Sequence, residues 1–121
     1  MVTKKGRKIS GGRYKKQRKK KKDEIQGQKR IVKLGEEKKR TIRTKGGNKK
    51  TFLLKGKFVN LKVKDKIKKI EIKNVLETPS NRFLARQNIL TKGTIVETEL
   101  GKVKITNRPT QETMINGILV G

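Results

Sequence analysis

Apolar residues are sparse in the first fifty positions and alternate with polar residues through most of the remaining chain. Leu, Ile, Val and Phe occur 7 times in residues 1–50 and 25 times in residues 51–121. From about Ile31 onward they recur mostly at a spacing of two, in short runs bounded by Gly, Asn, Asp and Pro, which is typical of β-strands. We therefore expect a β domain over residues 31–121, and an N-terminal extension over residues 1–30 that has no core of its own.

The predicted strands differ in how regularly apolar and polar residues alternate. One run alternates cleanly, with Val59 and Leu61 on the face opposite to Asn60. In a longer run through Glu77, one face is predicted to carry Ile70, Ile72 and Leu76, with Asn74 as the polar exception on that face.

The clearest hairpin is predicted from two runs, Thr94 to Thr98 and Lys102 to Thr106, joined at Leu100-Gly101. This turn predicts the register of the hairpin. The four predicted cross-strand pairs are Glu99 with Lys102, Glu97 with Lys104, Val96 with Ile105, and Thr98 with Val103. One face of this hairpin is then ionic and the other apolar.

One segment, Thr78 to Arg86, breaks the strand rhythm. Thr78 can cap a helix, Pro79 suits the first helical position, and good helix formers follow, so one or two helical turns are predicted. About six or seven short strands and one short helix in roughly 90 residues indicate a mainly β protein with a small closed or nearly closed β-barrel.

Positive charge is concentrated in the N-terminal part of the chain. The chain carries 36 Lys and Arg against 10 Asp and Glu, a net charge of +26, and residues 1–50 hold 22 of the basic and 4 of the acidic side chains. Lys4 to Lys22 alone contain 12 basic residues and no acid. A largely extended arm of this kind needs a polyanion to offset its self-repulsion. An acidic membrane surface would favour Trp, Phe or Leu opposite the basic face. Residues 4–22 offer only Ile9 and Tyr14, so nucleic acid is the expected partner.

The same composition argues against catalysis. The chain has neither Cys nor His, which removes disulfides, thiolate and imidazole metal ligands, and the commonest nucleophiles and bases. Glu97 and Glu99 are the only acids at same-face strand spacing, and ion pairing with neighbouring lysines explains them more simply than acid–base chemistry. We expect no enzyme, no cofactor and no metal site. No run reaches the length of a signal peptide core or membrane span, so a soluble intracellular protein is expected.

The candidate nucleic-acid contacts fall into four groups. Those of the arm are Lys4, Lys5, Arg7, Lys8, Arg13, Tyr14, Lys15, Lys16, Arg18, Lys19 and Lys20. A glycine-containing basic segment supplies Lys45, Asn48, Lys49 and Lys50, the predicted helix supplies Asn81, Arg82 and Arg86, and the loop after the hairpin supplies Arg108. Three alternatives stay open. Tyr14 stacks on a base or anchors the arm on the protein, and the segment at 44–50 holds a phosphate or is a basic turn. Asn81 contacts a phosphate or caps the helix.

Four motifs in order resemble one known family. They are Ser10-Gly11-Gly12-Arg13-Tyr14-Lys15-Lys16, Gly46-Gly47-Asn48, Pro79-Ser80-Asn81-Arg82, and the run Thr91 to Lys102. Together they resemble small-subunit ribosomal protein eight of the archaeal and eukaryotic type, in its compact archaeal form.

The resemblance implies a structural constituent of the small ribosomal subunit, with a β-barrel body and a basic extension threaded into ribosomal RNA. It further implies a monomer within the cytoplasmic ribosome, with ribosomal RNA and neighbouring ribosomal proteins as partners. Two other functions are alternatives to a structural role in the ribosome. A ribosome-assembly factor of the same superfamily would be longer, and an architectural DNA-binding protein would want minor-groove arginines or an intercalating apolar wedge.

Overall fold

The computed structural model describes residues 6–15, 18–63 and 66–120, and it confirms the mainly β class. The described residues form eight strands, one short α-helix and one 3₁₀ turn. In chain order the elements are β1 (Lys33–Leu34), β2 (Lys38–Arg43), the 3₁₀ turn (Lys45–Gly47), β3 (Lys49–Gly56), β4 (Phe58–Val63), β5 (Lys66–Glu77), α1 (Arg82–Arg86), β6 (Ile95–Thr98), β7 (Gly101–Ile105) and β8 (Asn116–Leu119).

Five of these strands close into a barrel in the order β4-β5-β6-β7-β8. Successive strands pair antiparallel, and the parallel pairing of β4 with β8, Asn60 with Asn116 and Leu61 with Gly117, completes the ring. The expected barrel is confirmed, but it has fewer strands than the six or seven predicted. The other three form a separate sheet in the order β1-β3-β2. Alternation shows that a segment is a strand but does not show which sheet it joins.

The long strand β5 bends so that its first half pairs with β4 and its second half with β6. The register shifts twice in the second half, between Ile72 and Asn74 and between Val75 and Glu77. Such irregularities bend a strand and change which side chains point inward. As a result Ile72 and Val75 are buried and Leu76 is exposed, so the predicted shared face of Ile72 and Leu76 is wrong.

The β6–β7 hairpin forms, but its register differs from the prediction. Val96 lies opposite Val103, Glu97 lies opposite Lys102, and Thr98 lies opposite Gly101. The turn therefore contains Glu99 and Leu100 rather than Leu100 and Gly101. Gly101 has a φ of +118°, which an L side chain rarely adopts, and the Thr98 hydroxyl donates to its carbonyl at 2.9 Å. Each predicted partner moves by two positions, which preserves the inward and outward faces.

The core lies inside the barrel and continues outward beneath the second sheet. Branched aliphatic side chains from the barrel strands fill the interior. Four further residues from outside those strands join the same cluster: Val32, Leu53, Leu90 and Ile115. The segment before β1 is tied to the segment after α1, because the amide of Leu90 donates to the carbonyl of Val32 at 2.8 Å. The second sheet is thus fixed to the barrel by both packing and backbone hydrogen bonds.

The predicted helix is present as a single short element, α1. It begins after Asn81, whose side chain accepts a hydrogen bond from the amide of Phe83 at 3.0 Å. The expectation that Thr78 would cap it is wrong, because Thr78 is fully buried three residues earlier. In the part of the chain that is described, no helix is both long and apolar enough to cross a membrane.

Gly117 provides a test of barrel closure. A Cβ at this position would lie 2.4 Å from Cγ1 of Val103 and 3.2 Å from the carbonyl oxygen of Lys104. We expect Gly117→Ala to lower the free energy of unfolding by about 1–3 kcal/mol, because β8 would have to move away from its neighbours. The measurement is thermal unfolding followed by circular dichroism. Gly27→Ala is the matched control, since a Cβ there meets nothing within 4 Å; equal melting temperatures for the two variants would contradict the close approach.

Candidate nucleic-acid interface

The first half of the arm contains a tight turn. Arg7 and Arg13 form an isolated antiparallel bridge, and between them the amide of Lys8 donates to the carbonyl of Gly12 at 2.8 Å. The turn leaves Ile9 fully exposed and presents the side chains of Arg7, Lys8 and Arg13 to solvent. Gly11 and Gly12 of the first sequence motif lie in this turn.

Tyr14 follows this turn and is partly covered, with 42% of its surface exposed. The ammonium of Lys8 lies 6.0 Å from the centre of its ring. This contact lies within the arm itself, and Lys15 beside it is exposed. Stacking of Tyr14 on a base and anchoring of the arm thus both remain hypotheses. Three further candidates, Lys4, Lys5 and Lys16, lie outside the described residues.

The second half of the arm contains a partly neutralised site. Both terminal nitrogens of Arg18 contact the carboxylate of Glu24, at 2.9 and 2.6 Å, and the amide of Lys21 donates to the same carboxylate at 3.0 Å. The hydrogen bond from Arg18 holds the pKa of Glu24 below its usual value, with a smaller contribution from that amide. Of the arm candidates in this segment, Lys19 and Lys20 remain exposed and Arg18 already has an anionic partner.

The β2–β3 hairpin forms a second basic surface. Residues 38–55 contain eight Lys and Arg and no Asp or Glu, and residues 45–50 at its tip are all exposed. The tip is closed at Thr44, whose amide and hydroxyl both donate to the carbonyl of Asn48, at 2.7 and 3.0 Å. Gly46 and Gly47 have φ values of +77° and +79°, which only glycine adopts without strain. The segment is a basic turn whose geometry still leaves Lys45, Asn48 and Lys49 facing solvent.

The fold brings Lys50 close to the loop that carries Arg108. The ammonium of Lys50 donates to the side-chain oxygen of Gln111 at 2.6 Å, across 61 positions of sequence, and the amide of Leu53 donates to the carbonyl of Glu112 at 3.1 Å. Arg108 is exposed, and its carbonyl accepts from the amide of Gln111 at 3.0 Å. Two candidate groups that are distant in sequence therefore lie along one continuous surface.

The third group, on α1, divides by role. Asn81 caps the helix through its side-chain oxygen, which supports the structural alternative for this residue. Arg82 and Arg86 are exposed. These two arginines are carried by the segment that follows β5. Lys50 instead lies on β3, and Arg108 lies on the loop that contacts Lys50.

Several basic side chains outside the four predicted groups lie on or beside the same hairpin. On its strands these are Lys38, Lys39, Arg40, Arg43 and Lys55. The guanidinium of Arg30 also lies 3.9 Å from the ring centre of the buried Phe52 in β3, a contact worth about 0.5–1 kcal/mol at an exposed site. The signal in the sequence that points to these side chains is the run of residues 38–55, which contains no acid.

Carboxylates neutralise little of this charge. The described residues contain three ion pairs, Arg18 with Glu24, Lys39 with Glu37, and Lys57 with Glu71. Hydrogen bonding to Glu71 raises the pKa of Lys57, and hydrogen bonding from Lys39 lowers the pKa of Glu37. The pairing of Glu97 with Lys104 and of Glu99 with Lys102 that the sequence suggested is wrong, because the observed register places Glu97 opposite Lys102 and Glu99 in the turn.

The fold and this surface define a class: a small β-barrel protein whose exposed basic groups suit an extended polyanion. Comparison with known proteins gives the family. The model of the family described as Ribosomal protein S8e matches residues 2–120, and the chain belongs to that family. The resemblance carried by the four sequence motifs is confirmed, and the chain, as a member of a ribosomal protein family, is not an enzyme.

Three relatives, each named small ribosomal subunit protein eS8, show the extent of the similarity. The protein of Nanoarchaeum equitans is 46% identical over 114 residues, which cover 93% of this chain and 90% of the relative. That of Staphylothermus marinus is 45% identical over 117 residues, with 94% and 91% covered. That of Methanocorpusculum labreanum is 40% identical over 116 residues, with 94% and 93% covered. The similarity is to archaeal proteins and extends over nearly the whole chain.

Two substitutions of Asn81 separate capping from RNA contact. Asn81→Ala removes the acceptor for the amide of Phe83, so we expect a loss of about 0.5–2 kcal/mol in unfolding free energy, measured by thermal or urea unfolding. Asn81→Asp keeps an equally good cap and should leave stability unchanged, while its added negative charge would weaken RNA binding if phosphates lie nearby. Equal stability of Asn81→Ala and the unmodified protein would contradict the capping role.

Proposed function

We propose that this chain is a structural constituent of the small ribosomal subunit. It binds ribosomal RNA through a basic arm, residues 1–30, and through the surface of a β-barrel domain, residues 31–121. The supporting observation is an acid-free hairpin whose basic side chains are all exposed, in a chain that the family model matches over residues 2–120. The cytoplasmic location and the neighbouring ribosomal proteins implied by the family resemblance belong to this proposal.

The proposed mechanism of binding is electrostatic. Each Lys or Arg that meets a phosphate releases condensed counterions, which contributes affinity independently of base sequence. The arm supplies closely spaced cations on a segment with few internal contacts, and the hairpin supplies cations on a rigid two-stranded support. The arm then follows the RNA surface, while Lys45, Lys49 and Arg108 set the orientation of the barrel against it.

The contribution of each part is measurable from the salt dependence of binding. We expect removal of residues 1–22 to flatten the plot of log affinity for small-subunit ribosomal RNA against log salt, by roughly 0.7–0.9 for each phosphate that the shortened protein no longer neutralises. The double substitution Lys45→Gln with Lys49→Gln should flatten the plot by a smaller amount, because these two lysines neutralise at most two phosphates.

The matched control is Lys102→Gln with Lys104→Gln, which removes the same charge from exposed positions on β7. It should leave the slope close to that of the unmodified protein, because these lysines are outside the proposed surface. A slope that falls equally in the two double variants would show that net charge, and not its placement, governs binding.

A place in the finished particle is tested by sedimentation. We expect the tagged chain, expressed in an archaeal host, to sediment with mature small subunits and to stay bound through a high-salt wash, because a structural constituent is retained after assembly. Quantitative mass spectrometry of gradient fractions gives its stoichiometry. Confinement to immature particles would instead identify an assembly factor, and recovery with chromosomal DNA would identify an architectural DNA-binding protein.

A further inference from the structure

The end of β5 and the helix α1 border a cleft that the proposed electrostatic surface does not use. Its volume is about 580 Å³, and it lies between Leu76 and Thr78 on one side and Arg82, Phe83 and Arg86 on the other. This volume falls within the range of about 300–1,000 Å³ typical of small-ligand sites. The cleft is therefore large enough for a planar group to enter.

Phe83 is the most distinctive feature of this cleft. Its side chain is 69% exposed although it is a large aromatic group, and Leu76 across from it is 42% exposed. Single exposed apolar residues are common on protein surfaces. An exposed ring that lines a cleft together with two arginines is a different arrangement, because it offers a stacking surface with cations in the same lining.

The charge of the cleft suits an anion. Arg82 and Arg86 take part in none of the ion pairs found among the described residues. Glu77 is the single carboxylate in the lining, so the two guanidiniums leave a net positive charge. Arginine binds phosphate oxygens in a planar, two-point geometry, which makes a phosphate a suitable occupant for these positions.

Thr78 gives an independent indication of a polar ligand. Its hydroxyl is completely buried and has no hydrogen-bond partner among the described residues. An unsatisfied buried hydroxyl is costly and uncommon. A ligand atom that reached the floor of the cleft, by displacing the side chains above it, would satisfy this hydroxyl.

A second groove of about 360 Å³ continues from the cleft on the other side of Arg86. Arg86 and Leu76 line both spaces, and the second is also lined by Asn74 and Asn88. A linear ligand can therefore place one group against Phe83, pass Arg86, and continue along the polar groove. An extended single strand of nucleic acid has this shape, with a phosphate between successive bases.

We propose that this cleft captures one unstacked base of the ribosomal RNA, with the base against Phe83 and its flanking phosphates on Arg82 and Arg86. The inference rests on the proposed function and adds a site to it. Unpaired bases that stack on aromatic side chains are a common mode of RNA recognition. The arginine pair favours this occupant over an apolar protein segment, which would leave both guanidiniums without anionic partners.

The test compares the affinity of variants for a small-subunit ribosomal RNA transcript at several salt concentrations. Phe83→Ala should weaken binding roughly 5- to 150-fold, the range expected when one base no longer stacks on an aromatic ring. Its salt slope should stay unchanged, because stacking releases no counterions, whereas Arg86→Gln should reduce the slope by roughly 0.7–0.9. Phe83→Tyr, which retains an aromatic ring, should bind like the unmodified protein.

Ile67→Ala is the matched control, because Ile67 is an apolar side chain on β5 that is 76% exposed and lines neither space. Neither Phe83→Ala nor Ile67→Ala should change the melting temperature, since both side chains lie largely in solvent. Ultraviolet cross-linking of the complex followed by tryptic digestion should attach a nucleotide to the peptide of residues 83–86. A nucleotide on this peptide supports the proposal directly.

The outcomes separate this inference from the proposed function. If the unmodified protein binds the RNA and Phe83→Ala binds within twofold of it, the captured base is ruled out and the ribosomal role stands. If the unmodified protein does not bind the RNA, the proposed function fails, and the inference fails with it. If Phe83→Ala binds free RNA normally but is retained less well in assembled subunits, a protein segment occupies the cleft and the base-capture proposal is wrong.

Discussion

The structure depends on closing five short strands around a core of branched aliphatic side chains. Closure requires β5 to reach both β4 and β6, and its two register shifts supply the necessary bend. It also requires β8 to approach β4 closely, which a glycine at position 117 permits. The basic β2–β3 hairpin leads directly into barrel strand β4, and α1 follows barrel strand β5. The closed barrel therefore fixes the positions of the basic hairpin and of the arginines on α1.

With the core enclosed in the barrel and beneath the second sheet, many of the basic residues are left on the surface. Residues 38–55 carry eight Lys and Arg without an acid, and three ion pairs among the described residues offset little of a net charge of +26. An external polyanion is therefore needed to neutralise the remaining positive charge. The proposed ribosomal RNA fills this role, and the cleft beside Phe83 would add base contact to a surface otherwise built for phosphates.

Features set by neighbouring residues in the sequence could be predicted, whereas features set by pairing between distant strands could not. The alternation of Val59 and Leu61 with Asn60 predicted their burial correctly, because a regular strand places successive side chains on opposite faces. The face shared by Ile72 and Leu76 was predicted wrongly, since a register shift interrupts that alternation. In the β6–β7 hairpin the turn was misplaced by one residue, yet the faces were right because each partner moved by two positions.

By itself, the sequence determined the distribution of charge, the strand content, the lack of Cys and His, and the motifs that mark the family. These properties are carried by single residues or by short segments, and folding does not alter them. Only the tertiary structure decided which strands close the barrel, that Lys50 meets the loop of Arg108, and that Phe83 lines a cleft with Arg82 and Arg86. Those features join residues through packing and hydrogen bonds across long stretches of chain, and no local pattern encodes which distant segment each one meets.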